Sequence, residues 1–204
     1  MNQASTTLRE LLGLSMSPAP FEDAALVLID CQNTYRSGIM QLTGVESALL
    51  EVQKLLNMAR KLKMPVFHIQ HDAGSGSPYD ITAHVGAIAD EVAPIEGEPV
   101  IVKNFPNSFV ETDLHQQLQS AGIRHVILAG FMTHMCINST AHGAFNLGYE
   151  VTVVANATAT RPLATANGKV LTAEEVHEGA IASTRDLYAA IADRADDLIS
   201  LVRK

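Results

Sequence analysis

The chain reads as an α/β protein built on a parallel sheet, and three observations lead there. Short, wholly apolar runs of strand length recur, as in Ala24 to Ile29 and His125 to Ala129, and such runs suit strands buried on both faces. Longer segments with apolar residues at helical spacing lie between them. Strand and helix signals alternate over the whole length, without an internal repeat or an interior linker, as expected of a sheet covered by helices on both sides. With 204 residues, 47% of them apolar, one domain spanning 1–204 has enough material for a substantial core.

In chain order, residues 5–13 suit a short amphipathic helix capped by Ser5 or Thr6, within an N-terminal extension of residues 1–20 that ends in the breaker run SMSPAPF. Ala24 to Ile29 is the first strand, and it stops at Asp30. Val45 to Lys63 carries Val45, Leu49, Val52, Leu55, Leu56, Ala59 and Leu62 as a helical stripe, ended by Met64-Pro65. Val66 to Ile69 is the second strand, followed by the loop QHDAGSGSPYD. Residues 86–97 suit a short helix or turn. Pro99 to Val102 is a third strand, ended by Lys103, and Thr112 to Ser120 is a helix with Gly122 as its stop.

The fourth strand, His125 to Ala129, ends at Gly130, and a helix begins near Cys136. Gly148 to Val154 is a fifth strand, and residues 155–168 form a polar connection. Thr172 and Glu175 have the spacing of a capping box for a helix reaching about Ala192, and residues 197–202 suit a short final strand.

Composition excludes several classes. Charged residues are 18% and net charge is −8, with no basic cluster, so nucleic acid is not an expected partner. No apolar run has membrane-spanning length, and the first residues lack the basic and apolar regions of a signal peptide. Two cysteines, Cys31 and Cys136, make no disulfide framework, and the expected setting is a reducing, cytoplasmic one. His68, His71, Asp72 and His84 cluster in sequence but lack the spacing of a closed zinc site, so neither metal nor other cofactor is expected.

The chemistry sits at strand ends. In an open parallel sheet, ligands bind outside the carboxyl ends of the strands. Asp30 ends strand one, Lys103 ends strand three and Cys136 follows strand four, so all three project from one edge. Cys136 at a helix start would face N–H groups carrying about half a positive charge, which favour thiolate and can cradle an oxyanion. The residues alone also allow a buried thiol that merely packs. Asp30 can accept a thiol proton, Lys103 can hold the charges together and Cys136 can attack a carbonyl.

The segments LVLIDCQNTY (26–35), VIVKNFPNSFVETDL (100–114) and GFMTHMC (130–136) resemble the isochorismatase-like cysteine hydrolases, the superfamily of nicotinamidase, N-carbamoylsarcosine amidohydrolase and isochorismatase. The resemblance runs from about Ala24 to His177. It implies a three-layer α/β/α sandwich with a six-stranded parallel sheet and Asp30, Lys103 and Cys136 as a catalytic triad. It further implies a cis peptide between Phe131 and Met132, and an oxyanion hole from the N–H groups of Met132 and Cys136.

Departures from the family narrow the reading. Nicotinamidases carry Asp-x-His with further histidines for a metal, whereas this chain has QHDAG at 70–74. Isochorismatase itself lacks the cysteine present here, and Asn156 stands where relatives often have Asp. The resemblance thus implies C–N cleavage of a small amide or ureide through a Cys136 thioester, by a homo-oligomer, a dimer or tetramer. Gln32, Tyr35, Phe105 and His134, beside the motifs, are candidate pocket residues. Two alternatives stay open: ether hydrolysis using Asp30 without covalent catalysis, and a binding protein that keeps the fold. Cys31 is expected to pack, although a redox pair with Cys136 is conceivable if strands one and four are neighbours.

Overall fold

A computed structural model describes residues 4–200. Helix α1 (Leu8–Leu11) is capped by Thr7, one residue beyond the expected cap; its hydroxyl accepts from the Glu10 N–H while the Glu10 carboxylate accepts from the Thr7 N–H at 2.8 Å. Arg9 is buried and donates to the carbonyls of Ser15 and Leu187, strapping the N-terminal extension onto a distant part of the chain.

The elements that follow are β1 (Ala25–Ile29), α2 (Val45–Leu62), β2 (Val66–His71), β3 (Val100–Lys103), α3 (Leu114–Ser120) and β4 (His125–Phe131). A π-helical turn, Thr133–Ile137, leads into α4 (Asn138–Asn146), and then come β5 (Glu150–Ala159), β6 (Leu163–Ala164), β7 (Val170–Leu171), α5 (Ala173–Leu187), β8 (Ala190–Ala192) and α6 (Ala195–Ser200). Six strands form one parallel sheet in the order β3-β2-β1-β4-β5-β8, with β6 and β7 pairing separately as a small antiparallel hairpin. The chain winds outward from β1 to one edge and from β4 to the other, so the strand order reverses between β1 and β4.

Alternation along the strands splits the core into two layers. Leu26 and Leu28 face α2 and α6, packing with Leu49, Val52, Leu56 and Leu198. Ala25, Val27 and Ile29 face α3 and α4, packing with Leu114, Leu118, Ala141 and Ala144. The three-layer sandwich follows from helices docking on both faces of strands that are apolar throughout. Gly130 lies where β4 passes β1: its φ is +116°, and a Cβ there would fall 2.0 Å from the Ile29 carbonyl oxygen, so only glycine fits.

The C-terminal third departs from expectation. β5 continues past Val154 to Ala159, because after a bulge it pairs with the last residues of β4, Gly130 with Thr158 and Phe131 with Ala159. Residues 190–192, expected as the end of a helix, are instead the edge strand β8. Residues 195–200 are helical where a strand was expected, and the last two residues of that expected strand lie outside the described residues. Ala-Ile-Ala carries no strand signal of its own; pairing with Thr152–Val154 makes it one. Asn156 accounts for the restart as a helix, since its Oδ1 accepts the Ala195 N–H at 3.1 Å and caps α6. Residues 86–97, expected as a short helix or turn, hold the single 3₁₀ turn Asp90–Val92, and a second such turn, His84–Gly86, ends at their start.

Candidate active site

Register places one of the three expected side chains. His71 pairs with Lys103 at the ends of β2 and β3, and Ile101, two residues before Lys103, faces α3. Lys103 therefore points to the same face, toward the turn that carries Cys136. Asp30 would alternate to the opposite face, but its backbone is left-handed (φ +50°), which turns it out of the strand at the switch point. The result brings all three together: Lys103 Nζ lies 2.7 Å from Asp30 Oδ2 and 3.4 Å from Cys136 Sγ. Asp30 and Lys103 side chains are 0% exposed, and Cys136 is 5% exposed.

The electrostatics are those of a dry cluster. Burial raises the Asp30 carboxyl above the ordinary carboxylate range, against the pull of Lys103. Lys103 Nζ lies within hydrogen-bonding distance of Asp30 Oδ2, and Lys103 and then Cys136 act on the carboxyl against burial. Burial and then the Asp30 charge push the Cys136 thiol up to about 12, with Lys103 opposing them. The helix start and Lys103 favour thiolate, as expected, but burial holds the Cys136 thiol up, and Asp30, the group expected to take its proton, has raised proton affinity.

The nucleophile turn differs locally from the expected helix start. Helical turns begin at Thr133, so Cys136 sits within a π-helical turn, whose Met135 and Ile137 N–H groups donate to the Met132 carbonyl. The Phe131–Met132 peptide is cis. Thr133 anchors the turn: its hydroxyl donates to Thr158 Oγ1 at 2.9 Å, Thr158 donates to the Ala155 carbonyl, and His177 Nδ1 lies 3.1 Å from Thr133 Oγ1. On the other side, Ser108 N donates to Thr140 Oγ1, and Asn107 lies where a Cβ on Gly143 would be, 2.5 Å away, locking the loop after β3 onto α4.

The remaining expected residues divide. Gln32 is 1% exposed, with its amide fully engaged: Nε2 donates to the His71 and Gly86 carbonyls, and Oε1 accepts the His71 N–H. It braces the site rather than offering a free group to a ligand. Tyr35 is buried, edge-on to Tyr79 and Phe131. His134 Nδ1 lies 2.5 Å from Thr160 Oγ1. Phe105 is 41% exposed.

Cys31 packs with Leu26, Leu28 and Tyr35 toward α2, whereas Cys136 packs toward α3 and α4. Strands β1 and β4 are neighbours, yet the two thiols lie in separate cores on opposite faces of the sheet, which excludes the redox pair.

Three residues were not foreseen as site residues. His71 Nδ1 is 3.2 Å from Lys103 Nζ, and Tyr79 stands edge-on to His71 with ring centroids 4.9 Å apart. Arg161 lies close enough to Tyr79 and His134 to act on both electrostatically, touches Met40 Sδ at 3.5 Å and has a buried Nε without a hydrogen bond. Among the described residues it makes no ion pair. The signal for His71 was present in the parity of β2 and β3, but it required their register. Arg161 and Tyr79 come from irregular segments that periodicity does not place.

The residues considered for metal are engaged separately: His68 Nε2 pairs with Glu98 at 2.9 Å, His71 Nδ1 faces Lys103, and Asp72 Oδ1 accepts from the Gly74 N–H. Among the described residues, no three His, Cys, Asp or Glu side chains are grouped to hold an ion.

Comparison with known proteins places this geometry among relatives. The model of the isochorismatase domain matches residues 24–196. An uncharacterized isochorismatase family protein of Bacillus subtilis, YddQ, is 38% identical over 170 residues, covering 82% of this chain and 94% of that protein. The ureidoacrylate amidohydrolase RutB of Stutzerimonas stutzeri is 28% identical, over 67% of this chain and 69% of its own length. The crystal structure of an isochorismatase from Pseudomonas putida KT2440 superimposes with a TM-score of 0.91 at 36% identity, covering 95% of this chain and 99% of that one.

Proposed function

The chain belongs to the isochorismatase family, and from that premise we propose that it is a hydrolase cleaving a C–N bond of a small amide or ureide through a thioester on Cys136. The observation that carries the reading is the placement of one buried ammonium, Lys103, 2.7 Å from a carboxylate and 3.4 Å from a thiol at the strand-order reversal. The similarity to RutB, a ureidoacrylate amidohydrolase, supports C–N cleavage.

In this mechanism Asp30 takes the Cys136 proton as the sulfur attacks the acyl carbon. A thiol held at about 12 ionises only as it reacts, and a carboxylate of raised proton affinity is the better acceptor for that proton. Lys103 offsets the negative charge shared by Asp30 and sulfur. The N–H groups of Met132 and Cys136 would receive the developing oxyanion, a contribution of about 3 kcal/mol where a single such donor has been removed in other enzymes. Asp30 returns the proton to the leaving nitrogen, and ammonia or amine departs. Water then attacks the thioester, giving its proton to Asp30, and the acid leaves as the thiol is restored.

Arg161, which makes no ion pair among the described residues and acts electrostatically on Tyr79 and His134, would hold an anionic group of the substrate, which narrows the class to amides and ureides bearing a carboxylate. The test is ammonia release from a panel of carboxylate-bearing and neutral amides and ureides, for the wild type and Cys136→Ala. Release by the wild type alone supports the proposal. Turnover of vinyl ethers that survives Cys136→Ala would instead assign the chemistry to Asp30 without a covalent step.

A further inference from the structure

We infer that His71 is a positioning residue for Lys103: as a neutral Nε2–H imidazole it accepts one of the three ammonium protons and holds the lysine between Asp30 and Cys136. The inference rests on the proposed roles of Lys103 and Cys136 and adds a fourth member that the triad does not contain.

A lysine ammonium has three N–H donors and no acceptor. Lys103 is 1% exposed, so water does not saturate it, and an unmet charged donor in such a place is costly. Its Nζ has three partners: Asp30 Oδ2 at 2.7 Å, Cys136 Sγ at 3.4 Å and His71 Nδ1 at 3.2 Å. Because the ammonium can only donate, Nδ1 must accept, and that fixes the tautomer with the proton on Nε2.

The imidazole is itself held. Gln32 binds the His71 backbone from both sides, accepting from its N–H at 3.0 Å and donating to its carbonyl at 2.9 Å, so the residue is fixed in register opposite Lys103. Tyr79 covers the ring edge-on. The charged and titratable groups facing the ring are Lys103 from β3, Asp30 beyond β1, the adjacent Asp72 and Tyr79 from the loop after β2.

Protonating His71 would convert its acceptor into a donor and set an imidazolium 3.2 Å from an ammonium. Burial, followed by the Lys103 charge, holds the imidazole below its usual range, so the neutral form is kept through neutral pH. Below that range the lysine loses its third partner and is repelled, and Cys136 loses the cation that favours its ionised form.

Two readouts that need no substrate test this. The first is a ¹⁵N–¹H multiple-bond spectrum of the labelled full chain, with the His71 signals assigned by their loss in His71→Asn. The expected result at pH 7 is the Nε2–H tautomer; an Nδ1–H tautomer or an imidazolium overturns the inference. The second is the rate of Cys136 alkylation by iodoacetamide, followed by peptide mapping from pH 5 to 9.

His71→Asn places an oxygen acceptor near the position of Nδ1 without a titrating ring, so it should keep the rate near neutral pH and fall less steeply on the acid side than the wild type. His71→Leu removes the acceptor and should slow alkylation about tenfold or more at all pH values, the scale on which misplaced catalytic groups cost rate. A His71→Leu rate equal to wild type, or an acid limb unchanged in His71→Asn, overturns the inference. Should the leucine variant fail to fold, the tautomer and the asparagine profile still decide. A panel that yields no amide or ureide substrate leaves both readouts unaffected, so failure of the proposed function is separable from failure here.

Discussion

Lys103 and Asp30 face each other at 2.7 Å from the ends of β3 and β1, both side chains wholly removed from solvent. The strands that carry them are separated by β2, so no local sequence signal joins the two groups; only the sheet does. Removing one partner of a buried ion pair typically costs about 3–5 kcal/mol, because the other charge is stranded.

Lys103→Met should therefore destabilise the protein. Asp30, already held above the ordinary range by burial, will be pushed further up in the variant. A folded-state pKa above the unfolded one confers stability at low pH that is lost as pH rises through the folded value. Thermal unfolding across pH should show the variant closest to wild type in acid and furthest from it at neutral pH. Adding Asp30→Asn should restore much of the loss. A pH-independent deficit would contradict the buried pair.

Cys136→Ala should abolish alkylation and turnover with little change in melting temperature, since alanine suits a helical turn. Cys31→Ala removes a sulfur from the α2-side core and should cost about 1 kcal/mol of stability with activity largely retained. Oxidation of the wild type should yield no Cys31–Cys136 disulfide by mass mapping, because the thiols lie on opposite faces of the sheet.

Far from the site, Glu98 accepts from His68 Nε2, Arg60 and the Ile95 N–H. Burial pushes its carboxyl up, but these donors outweigh burial and hold it at about 2. A depressed carboxylate confers stability above the ordinary value of 4.5 and loses it as pH falls toward 2, on the order of 3 kcal/mol. His68, lowered mainly by burial, acts with the same sign below its ordinary 6.5. Glu98→Gln should flatten the acid side of the stability curve and lower the plateau above pH 5; an unchanged curve would remove Glu98 from the account.

Arg161→Gln should raise KM for carboxylate-bearing substrates about tenfold or more, the scale of a lost charge-assisted hydrogen bond, while leaving neutral substrates and Cys136 alkylation nearly unchanged. Equal effects on both substrate classes would show that Arg161 does not read the anion.

Much of this was legible in the sequence because buried parallel strands announce themselves. Apolar runs ending in Asp30 and Lys103, and one followed by a turn to Cys136, suffice to put three functional groups on one edge, and the resemblance carried by GFMTHMC names the family. What escaped depends on partners distant in the chain. Ala190–Ala192 is a strand only because β5 offers an edge, and α6 starts where Asn156 supplies a cap from another segment. His71 looked like a loop histidine until the β2–β3 register set it opposite Lys103. Gln32 looked like a pocket residue, yet its amide is wholly engaged in bracing His71 and Gly86. The helical position of Cys136 favours thiolate, but its depth in the protein, which raises the thiol, depends on packing that no local pattern shows.

The proposed reaction rests on a covalent bond to one sulfur. Rapid quenching of the wild type with a substrate from the amide and ureide panel, followed by intact-mass and peptide analysis, should reveal an acyl adduct on Cys136 that forms with release of the amine or ammonia. The adduct should decay as the acid appears and be absent in Cys136→Ala. Turnover of such a substrate by Cys136→Ala at the wild-type rate, or acylation found on another residue, would contradict it.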